Sequence, residues 1–430
     1  MAGAQLSQLA MTTTAVAFVG RLHGDGLASM AVGNAAYGIF LASGIGLVAA
    51  VNPLVSQAYG AGRREEASRA LGVGILCAVV YGLFAQACLY HVDELYGWLG
   101  YTPAVTAIAT SFVRSLMLGL PGFLCFLAIK NYLDSTSRPK LAFWIAFCAI
   151  ALNGLLDYVL VFGRWGVPSL GVMGAGLATS TVNVSMALAL YLAVRTELPR
   201  GALRPDPAAL KEFLSLGLPV AGALLMEVGL FAVCALLMGR LGPHEAAAHQ
   251  IVITCASTTF MIPLGISFAG ATRVGQAIGA KQWSRVRPAG LAAVSVGVGC
   301  MFASGALFVL APELLVSLLW DPALGGEEVR RLAVQLLAVA AIFQFFDGLQ
   351  VTTSGALRGM KDVKAPMVIS FVCYWVIGFS VAIGLGLYTE WRHLGIWVGL
   401  LSGLTCAGTV LFLRFLTLSR RLAKQDDSIV

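Results

Sequence analysis

Acids are scarce inside the apolar runs of this chain, and the pattern places three of its 21 well within them: Asp157, Glu227 and Asp347. Asp347 sits in AIFQFFDGLQVTTSGALRGMKDVK, residues 341–364. A carboxylate at the centre of a bilayer costs about 2.5–3.5 kcal/mol on insertion scales, so such residues face a water path or an ion. Glu227 lies in LPVAGALLMEVGLFAVCALL, eight residues past Pro219, which predicts a kink about two turns before it. Asp157 lies nearer the end of its run. For each acid the alternative is a buried hydrogen bond to another helix.

No intramembrane Lys or Arg is in position to pair these acids, because Lys130, Arg114 and Arg273 fall toward run ends. A mobile cation can take that place. A proton suits a carboxyl withdrawn from water, and sodium suits hard oxygen donors, so Glu227 and Asp347 are candidate Na+ ligands as well as proton carriers. An organic cation that competes with the ion for the same negative charge is antiport in its simplest form. Polar faces fit a hydrated substrate cavity: Gln5, Gln8, Thr12, Thr13 and Thr14 in the first run, and Gln250, Thr254, Ser257 and Thr258 in the eighth. Hydrogen bonding between helices is the alternative for each. His249 reads as a packed or hydrogen-bonded histidine rather than a ligand. Phe343, Phe345, Phe346, Tyr374 and Trp375 offer ring faces to flat organic cations, although lipid or core packing accounts for most aromatics.

The elements that must hold these residues follow from composition. Hydrophobic residues are 58% of the chain, charged residues 11%, and the mean hydropathy is +0.84, against about one quarter charged in a soluble domain. Runs of about 20 residues exclude the strictly alternating strands of a membrane β-barrel, which leaves helices. The fold class is an all-α polytopic membrane protein of twelve transmembrane helices in two pseudo-symmetric six-helix lobes. The first six spans are 4–19, 27–58, 70–90, 104–132, 141–162 and 170–194. The second six are 208–238, 246–278, 289–319, 329–356, 366–387 and 394–418.

One long polar insertion, RTELPRGALRPDPAALKEF at 195–213, falls near mid-chain. It predicts an amino-terminal lobe 1–194 with a short first helix, a cytoplasmic linker 195–210, a carboxyl-terminal lobe 211–418 and a cytoplasmic tail 419–430. SQAYGAGRREEASRA at 56–70 repeats as GQAIGAKQWSRVRPA at 275–289, and LDSTSRPK at 133–140 repeats as LRGMKDVK at 357–364. Six helices between copies make the halves parallel, with a pseudo-twofold axis along the membrane normal, a transporter layout. Nineteen Lys and Arg residues fall in one set of alternate loops and ends, and six in the other. Both termini are therefore expected in the cytoplasm.

The net charge of +7 belongs to those loops and requires no nucleic acid. The first residues lack the basic region of a cleavable signal peptide, so the chain reads as starting inside its first span, in the plasma (inner) membrane. Its nine cysteines lie singly in apolar runs and read as small core residues. There is no G-x-S-x-G, H-E-x-x-H or P-loop sequence and no nucleotide-binding domain. The reading is a secondary transporter, not an enzyme, with no cofactor beyond a coupling ion.

Seven stretches carry a resemblance: GLASMAVGNAAYG, NPLVSQAYGAG, NGLLDYVLVFG, LGLPVAGALLMEVGLFAV, AAAHQIV, RVGQAIGA and FDGLQVTTSGALRGMKD. Together and in this order they resemble the MATE (multidrug and toxic compound extrusion) transporters of the bacterial NorM type, over nearly the whole chain. The resemblance implies a two-lobed antiporter that exports organic cations or drugs in exchange for sodium or protons. It implies a carboxyl-lobe cation site at Glu227 and Asp347, with Phe343 as its aromatic neighbour, and an amino-lobe site at Asn153 and Asp157. The aligned stretch MTTTAVAFVG puts Ala15 where the family's first helix carries an aspartate. Coupling is accordingly expected at Glu227 and Asp347.

The expected partners are organic cations and membrane lipids, and two lobes in one chain give a complete cavity to a monomer. The alternative function is a flippase for a lipid-linked or anionic substrate, which predicts intramembrane Lys or Arg. A membrane enzyme would need a cluster of His or acids at one membrane face.

Overall fold

A computed structural model describes Thr14, Phe18, Val19 and residues 26–198, 206–319 and 326–427. The described residues are almost entirely helical, with no strand among them. The chain forms two compact units, Gly3–Ala221 and Gly222–Val430. The first holds α1 (Gly26–Val48), α2 (Val51–Gly60), α3 (Arg64–Tyr90), α4 (Val92–Trp98), α5 (Pro103–Met117), α6 (Leu120–Ser135), α7 (Pro139–Phe162) and α8 (Gly171–Val194). It also takes the start of α9 (Pro207–Leu241), where the ring of Phe213 is wholly buried. The second unit holds the rest of α9, then α10 (Pro243–Gly279), α11 (Trp283–Leu310), α12 (Pro312–Leu319), α13 (Gly326–Gly359), α14 (Lys364–Phe371), α15 (Phe379–Tyr388) and α16 (Arg392–Asp427).

Ten of these stretches are long and apolar enough to cross a membrane, and α5 with α6 makes an eleventh span bent by 41°. The span expected at 4–19 lies mostly outside the described residues. The bend has a chemical cause: Pro121 has no N–H for the carbonyl of Met117, its partner four residues back, and α5 ends at that residue. The run expected at 289–319 breaks in the same way. Ala311, ahead of Pro312, is driven out of the helical region to φ −136°, ψ 47°, and α12 restarts beyond it. Between α14 and α15, within the stretch Lys364–Tyr388, the chain makes a turn of π-helix over Val372–Gly378.

The sequence repeat is a repeat of turn geometry. At an offset of 219, Gly62 and Lys281 take positive φ of 74° and 56°. The next residue closes the same bond in each copy, Arg63 N–H to Ala58 O and Gln282 N–H to Ala277 O, both at 2.9 Å. At an offset of 224, Ser137 and Lys361 sit at φ 62° and 60°, with Arg138 N–H to Leu133 O at 2.8 Å and Asp362 N–H to Leu357 O at 3.0 Å. These six-to-one bonds close helix C-termini. Three of the four left-handed positions are not glycine, at about 1–2 kcal/mol each, so the turn shape is held by its surroundings.

Helices pack through small residues, as membrane bundles do. A Cβ on Gly305 of α11 would lie 2.6 Å from the carbonyl oxygen of Ala341 on α13, so that crossing requires glycine. Large apolar side chains such as Leu236, Phe302, Leu310 and Leu318 point outward, which is the inverse of a soluble protein and suits lipid as solvent. Salt bridges tie helix ends in both units. Arg138 reaches Glu197 through two bonds of 2.6 Å, and Arg414 on α16 reaches Asp362 through bonds of 2.6 and 3.0 Å.

Candidate functional site

The second unit brings two of the three expected acids together. Asp347 projects from the middle of α13 and is 5% exposed, while Glu227 on α9 is half-buried. Their carboxyls are close enough to feel each other's charge, and the Tyr374 hydroxyl in the π-helical turn feels both. That hydroxyl is buried and has no hydrogen-bond partner among the described residues. No Lys or Arg pairs with either carboxylate among the described residues. Two acids and an unsatisfied phenol thus share one spot with no Lys or Arg paired to them among the described residues.

A hydrogen bond between flanking residues ties the two helices at this cluster. Trp375, next to Tyr374, donates its indole N–H to the carbonyl of Met226, next to Glu227, at 3.1 Å. The ring passes so close to α9 that a Cβ on Gly229 would meet Trp375 Cζ2 at 3.0 Å. The widened π-turn carries a buried Tyr374 and a half-buried Trp375 side by side. Such bulges recur at functional sites, and sequence periodicity carries no signal for them.

Phe343, one turn before Asp347, is buried with its ring 6.1 Å from Phe231 and 5.9 Å from Trp397. Trp397 in turn donates to His249 Nδ1 at 3.2 Å. His249 is therefore a buried, hydrogen-bonded core residue, as its sequence setting suggests. Gln344 donates to the Thr259 hydroxyl, while its own amide oxygen stays unpartnered among the described residues.

Gln250, Thr254, Ser257 and Thr258 form one stripe on α10. Gln250, Ser257 and Thr258 are exposed and Thr254 half-buried. Thr254 donates to the Gln250 carbonyl at 2.7 Å, and Thr258 to the Thr254 carbonyl at 2.8 Å. The Gln250 amide donates to the Thr254 hydroxyl at 3.4 Å, and both Gln250 and Ser257 remain exposed. An outward polar stripe on a membrane-crossing helix needs water beside it.

In the first unit Asn153 and Asp157 are four residues apart on α7 and wholly buried. Neither polar atom of either side chain has a hydrogen-bond partner among the described residues. Gly154 between them lies against the Thr14 methyl, 3.8 Å from an added Cβ. Thr13 lies outside the described residues.

Two expectations need correction. Asp134 is a fourth buried acid: it and Lys130, near the end of α6, are 1% and 2% exposed and pair at 2.9 Å. The sequence reading ended the span at Tyr132, but α6 runs on to Ser135 and carries the pair inside. Because the pair neutralises itself, Lys130 is no counter-ion for Asp157, Glu227 or Asp347. Arg358 lies at the end of its run, in the last turn of α13. It is half-buried, stacked at 4.8 Å on Phe268 and donating to Ser267 Oγ at 3.2 Å. The cysteines are not uniformly single core residues either. Cys88 and Cys148 are exposed, and the sulfurs of Cys373 and Cys406 approach to 3.1 Å.

A sequence model of the MatE family matches residues 1–159 and 219–383. The chain is 38% identical over 434 residues to a probable multidrug resistance protein NorM of Pseudomonas putida, covering 97% of this chain and 92% of that protein. It is also 38% identical to one of Rhodopseudomonas palustris, covering 98% and 90%. Among solved structures, the crystal structure of the eukaryotic MATE transporter AtDTX14 superposes with a TM-score of 0.86 at 21% identity, covering 99% of this chain and 96% of that one. An outward-facing multidrug resistance MATE transporter of the MOP superfamily gives 0.89 at 19%, covering 99% and 94%. The chain belongs to the MatE family of multidrug efflux transporters and is a multi-pass membrane protein.

Proposed function

We propose that this protein is a secondary active antiporter that exports organic cations, drugs among them, in exchange for sodium ions or protons. The observation that carries the reading is the Glu227–Asp347–Tyr374 cluster, two carboxyls and an unsatisfied hydroxyl with no basic partner among the described residues. In a low-dielectric site two like charges oppose each other's ionisation, so the pair retains negative charge most readily with a proton or metal cation beside it. Its donors are all oxygen, the set that hard cations such as sodium take. An organic cation drawn by the same charge releases the ion, and the ion's return releases the organic cation. Each ligand shifts the protein only by its differential affinity for the two states.

Phe343, held between Phe231 and Trp397, keeps one wall of the site aromatic. Gln250 and Thr254 supply a wet, hydrogen-bonding flank for substrate. Asn153 and Asp157 form a second candidate ion site in the amino-terminal unit, supported by their four polar atoms, which have no hydrogen-bond partner among the described residues. The excess of Lys and Arg on one set of loops supports cytoplasmic termini and a place in the plasma (inner) membrane. One chain, as a monomer, carries the whole machinery.

The test is efflux of ethidium from everted vesicles under separately imposed sodium and pH gradients, for the wild type, Glu227→Gln and Asp347→Asn. Transport should follow one gradient, which identifies the coupling ion, and either substitution should abolish it. Wild-type rates in both variants would refute the assignment.

A further inference from the structure

The two copies of the repeated turn differ in what neutralises their bases. In the first unit Arg63 pairs with Glu66 at 2.8 Å and Arg69 with Glu65 at 2.6 Å. At the offset of 219 those two acids become Arg285 and Ser284. The second copy therefore carries Lys281, Arg285 and Arg287 with no acid among them, and Trp283 where the first copy has Arg64. Lys281 and Arg285 are exposed, while Trp283 and Arg287 are half-buried.

Packing brings a second set of bases to the same place. Val286 forms a buried apolar cluster with Leu411 and Phe415 of α16, and Leu418 and Leu422 continue it toward the end of that helix. Gly290, about one turn further along α11, lies so close to the Phe415 ring that an added Cβ would collide with it. The start of α11 and the end of α16 thus lie side by side. Arg420, Arg421 and Lys424 are exposed on α16 at this end.

No side chain of the six bases takes part in an ion pair or hydrogen bond among the described residues. Arg414, one turn deeper on α16, is held by Asp362 and stands apart from them. The acids of segments 281–290 and 415–427 are Asp426 and Asp427, so six bases against two acids leave a net charge of +4. Arg420 and Lys424, four residues apart on one helix, repel each other. The cluster gains from a counter-charge that the described residues do not supply.

Its level in the fold identifies that counter-charge. Trp283 opens one membrane-crossing stretch and Lys424 closes another, so the bases stand where spans leave the bilayer core. A half-buried tryptophan at a span end marks headgroup depth. Four to eight Lys and Arg residues at that position attract anionic lipid headgroups, and a guanidinium fork fits a phosphate. Trp283 favours a lipid over a soluble polyanion, because an indole at that depth packs on the glycerol and upper acyl region that a lipid brings with its phosphate.

We propose that this basic end of the second unit is a docking surface for anionic phospholipids, with the phosphodiester on Arg285, Arg287 and the α16 bases and the acyl chains beside Trp283. The equivalent turn of the first unit, whose acids cancel two of its bases, is not such a surface. Placing these lipids in the inner leaflet rests on the orientation proposed above; the charge argument does not.

For the test, the full-length protein is reconstituted into phosphatidylcholine vesicles in which a small fraction of the lipid carries brominated acyl chains. The brominated lipid is phosphatidylglycerol in one series and phosphatidylcholine in the other. Bromine quenches tryptophan fluorescence at contact range, and subtracting the signal of Trp283→Phe isolates Trp283. In the wild type, phosphatidylglycerol should quench Trp283 more strongly than phosphatidylcholine does. Arg285→Gln with Arg287→Gln should lower that preference by about fivefold for each base removed, and Arg63→Gln with Arg69→Gln should leave it unchanged. Equal quenching by the two lipids, an unchanged preference in the Arg285 and Arg287 variant, or an equal loss in the Arg63 and Arg69 variant would each overturn the proposal. Loss of the preference on adding inorganic phosphate at constant ionic strength would overturn it too, by marking a site for free anions.

Discussion

Replacing Lys130 by Met tests how dry the interior of the first unit is. The ammonium and the Asp134 carboxylate meet at 2.9 Å with 2% and 1% of their side chains exposed, four residues apart on α6. Removing one member deprives the other buried charge of its opposite, which costs about 3–5 kcal/mol. Lys130→Met and Asp134→Leu should each lose that much. The double variant, with an apolar pair of similar volume, should lie within about 1 kcal/mol of the wild type, because replacing both members of a buried pair is often neutral. The resulting coupling energy is large and of one sign.

For a cooperative body of about 200 residues, 1 kcal/mol moves the melting temperature by about 2–4 °C, so each single variant should melt roughly 10 °C lower. Fluorescence-monitored melting in detergent reads this directly. Gradient-driven efflux in the double variant should match the wild type below the melt, since the pair is neutral in itself and holds no transported ion. Single variants within 1 kcal/mol of the wild type would show that water reaches α6, and the argument that this pair is withdrawn from ion chemistry would fall. A double variant as unstable as the singles would refute the electrostatic account, because the pair would then act through shape.

Three further outcomes follow from particular contacts. Gly229→Ala places a methyl 3.0 Å from Trp375 Cζ2. It should displace Trp375 and the adjacent Tyr374, lowering ethidium efflux severalfold while the melting temperature falls by only a few degrees, the strain of overpacking being about 1–3 kcal/mol. In a background with the native cysteines replaced, Ser257→Cys on the α10 stripe should react with a membrane-impermeant maleimide while Leu236→Cys on α9 stays inert, since only a hydrated thiol ionises readily. Equal labelling would remove the wet flank. Reversing the clasp with Arg138→Glu and Glu197→Arg should restore the stability that either single change loses, about 1 kcal/mol for a partly exposed bidentate pair; melting curves of the four proteins decide it.

The spans were legible because each is a long apolar stretch bounded by charge, and the turns because their residues repeat at fixed offsets. What sequence did not carry is whatever depends on where a helix stops or how its backbone winds. Lys130 and Asp134 looked peripheral because LDSTSRPK reads as a loop, yet the helix gains by running to Ser135 and burying a pair that cancels itself. The Pro121 bend was readable in principle from a proline in mid-run. The π-turn at Val372–Gly378 was not, since an extra residue in one turn leaves no mark on an all-apolar segment. Asp347 and Glu227 stood out as lone charges in apolar runs, whereas the role of Tyr374 depends on a turn geometry that no residue type announces.

The two halves share the geometry of their repeated turns and differ in their charges. At the offset of 224, Arg138 corresponds to Asp362 and Asp134 to Arg358. Each half still clasps its fourth-span turn to its last helix with a bidentate bridge, Arg138 to Glu197 and Asp362 to Arg414, with polarity reversed. A clasp needs only opposite charges, so the repeat preserved the contact and let the signs exchange. The acids behave otherwise. The same offset carries Asp347 onto Phe123, a buried aromatic, and Asp157 onto Val381, while the offset of 219 carries Glu227 onto Gln8. No acid of the proposed ion sites has a counterpart in the other half. A buried carboxylate costs several kcal/mol wherever it stands, so a pseudo-symmetric scaffold retains one only where something cationic repeatedly meets it. Under the proposed antiport, this asymmetry assigns the coupling ion to the clustered pair of the second unit and leaves the first unit a different task.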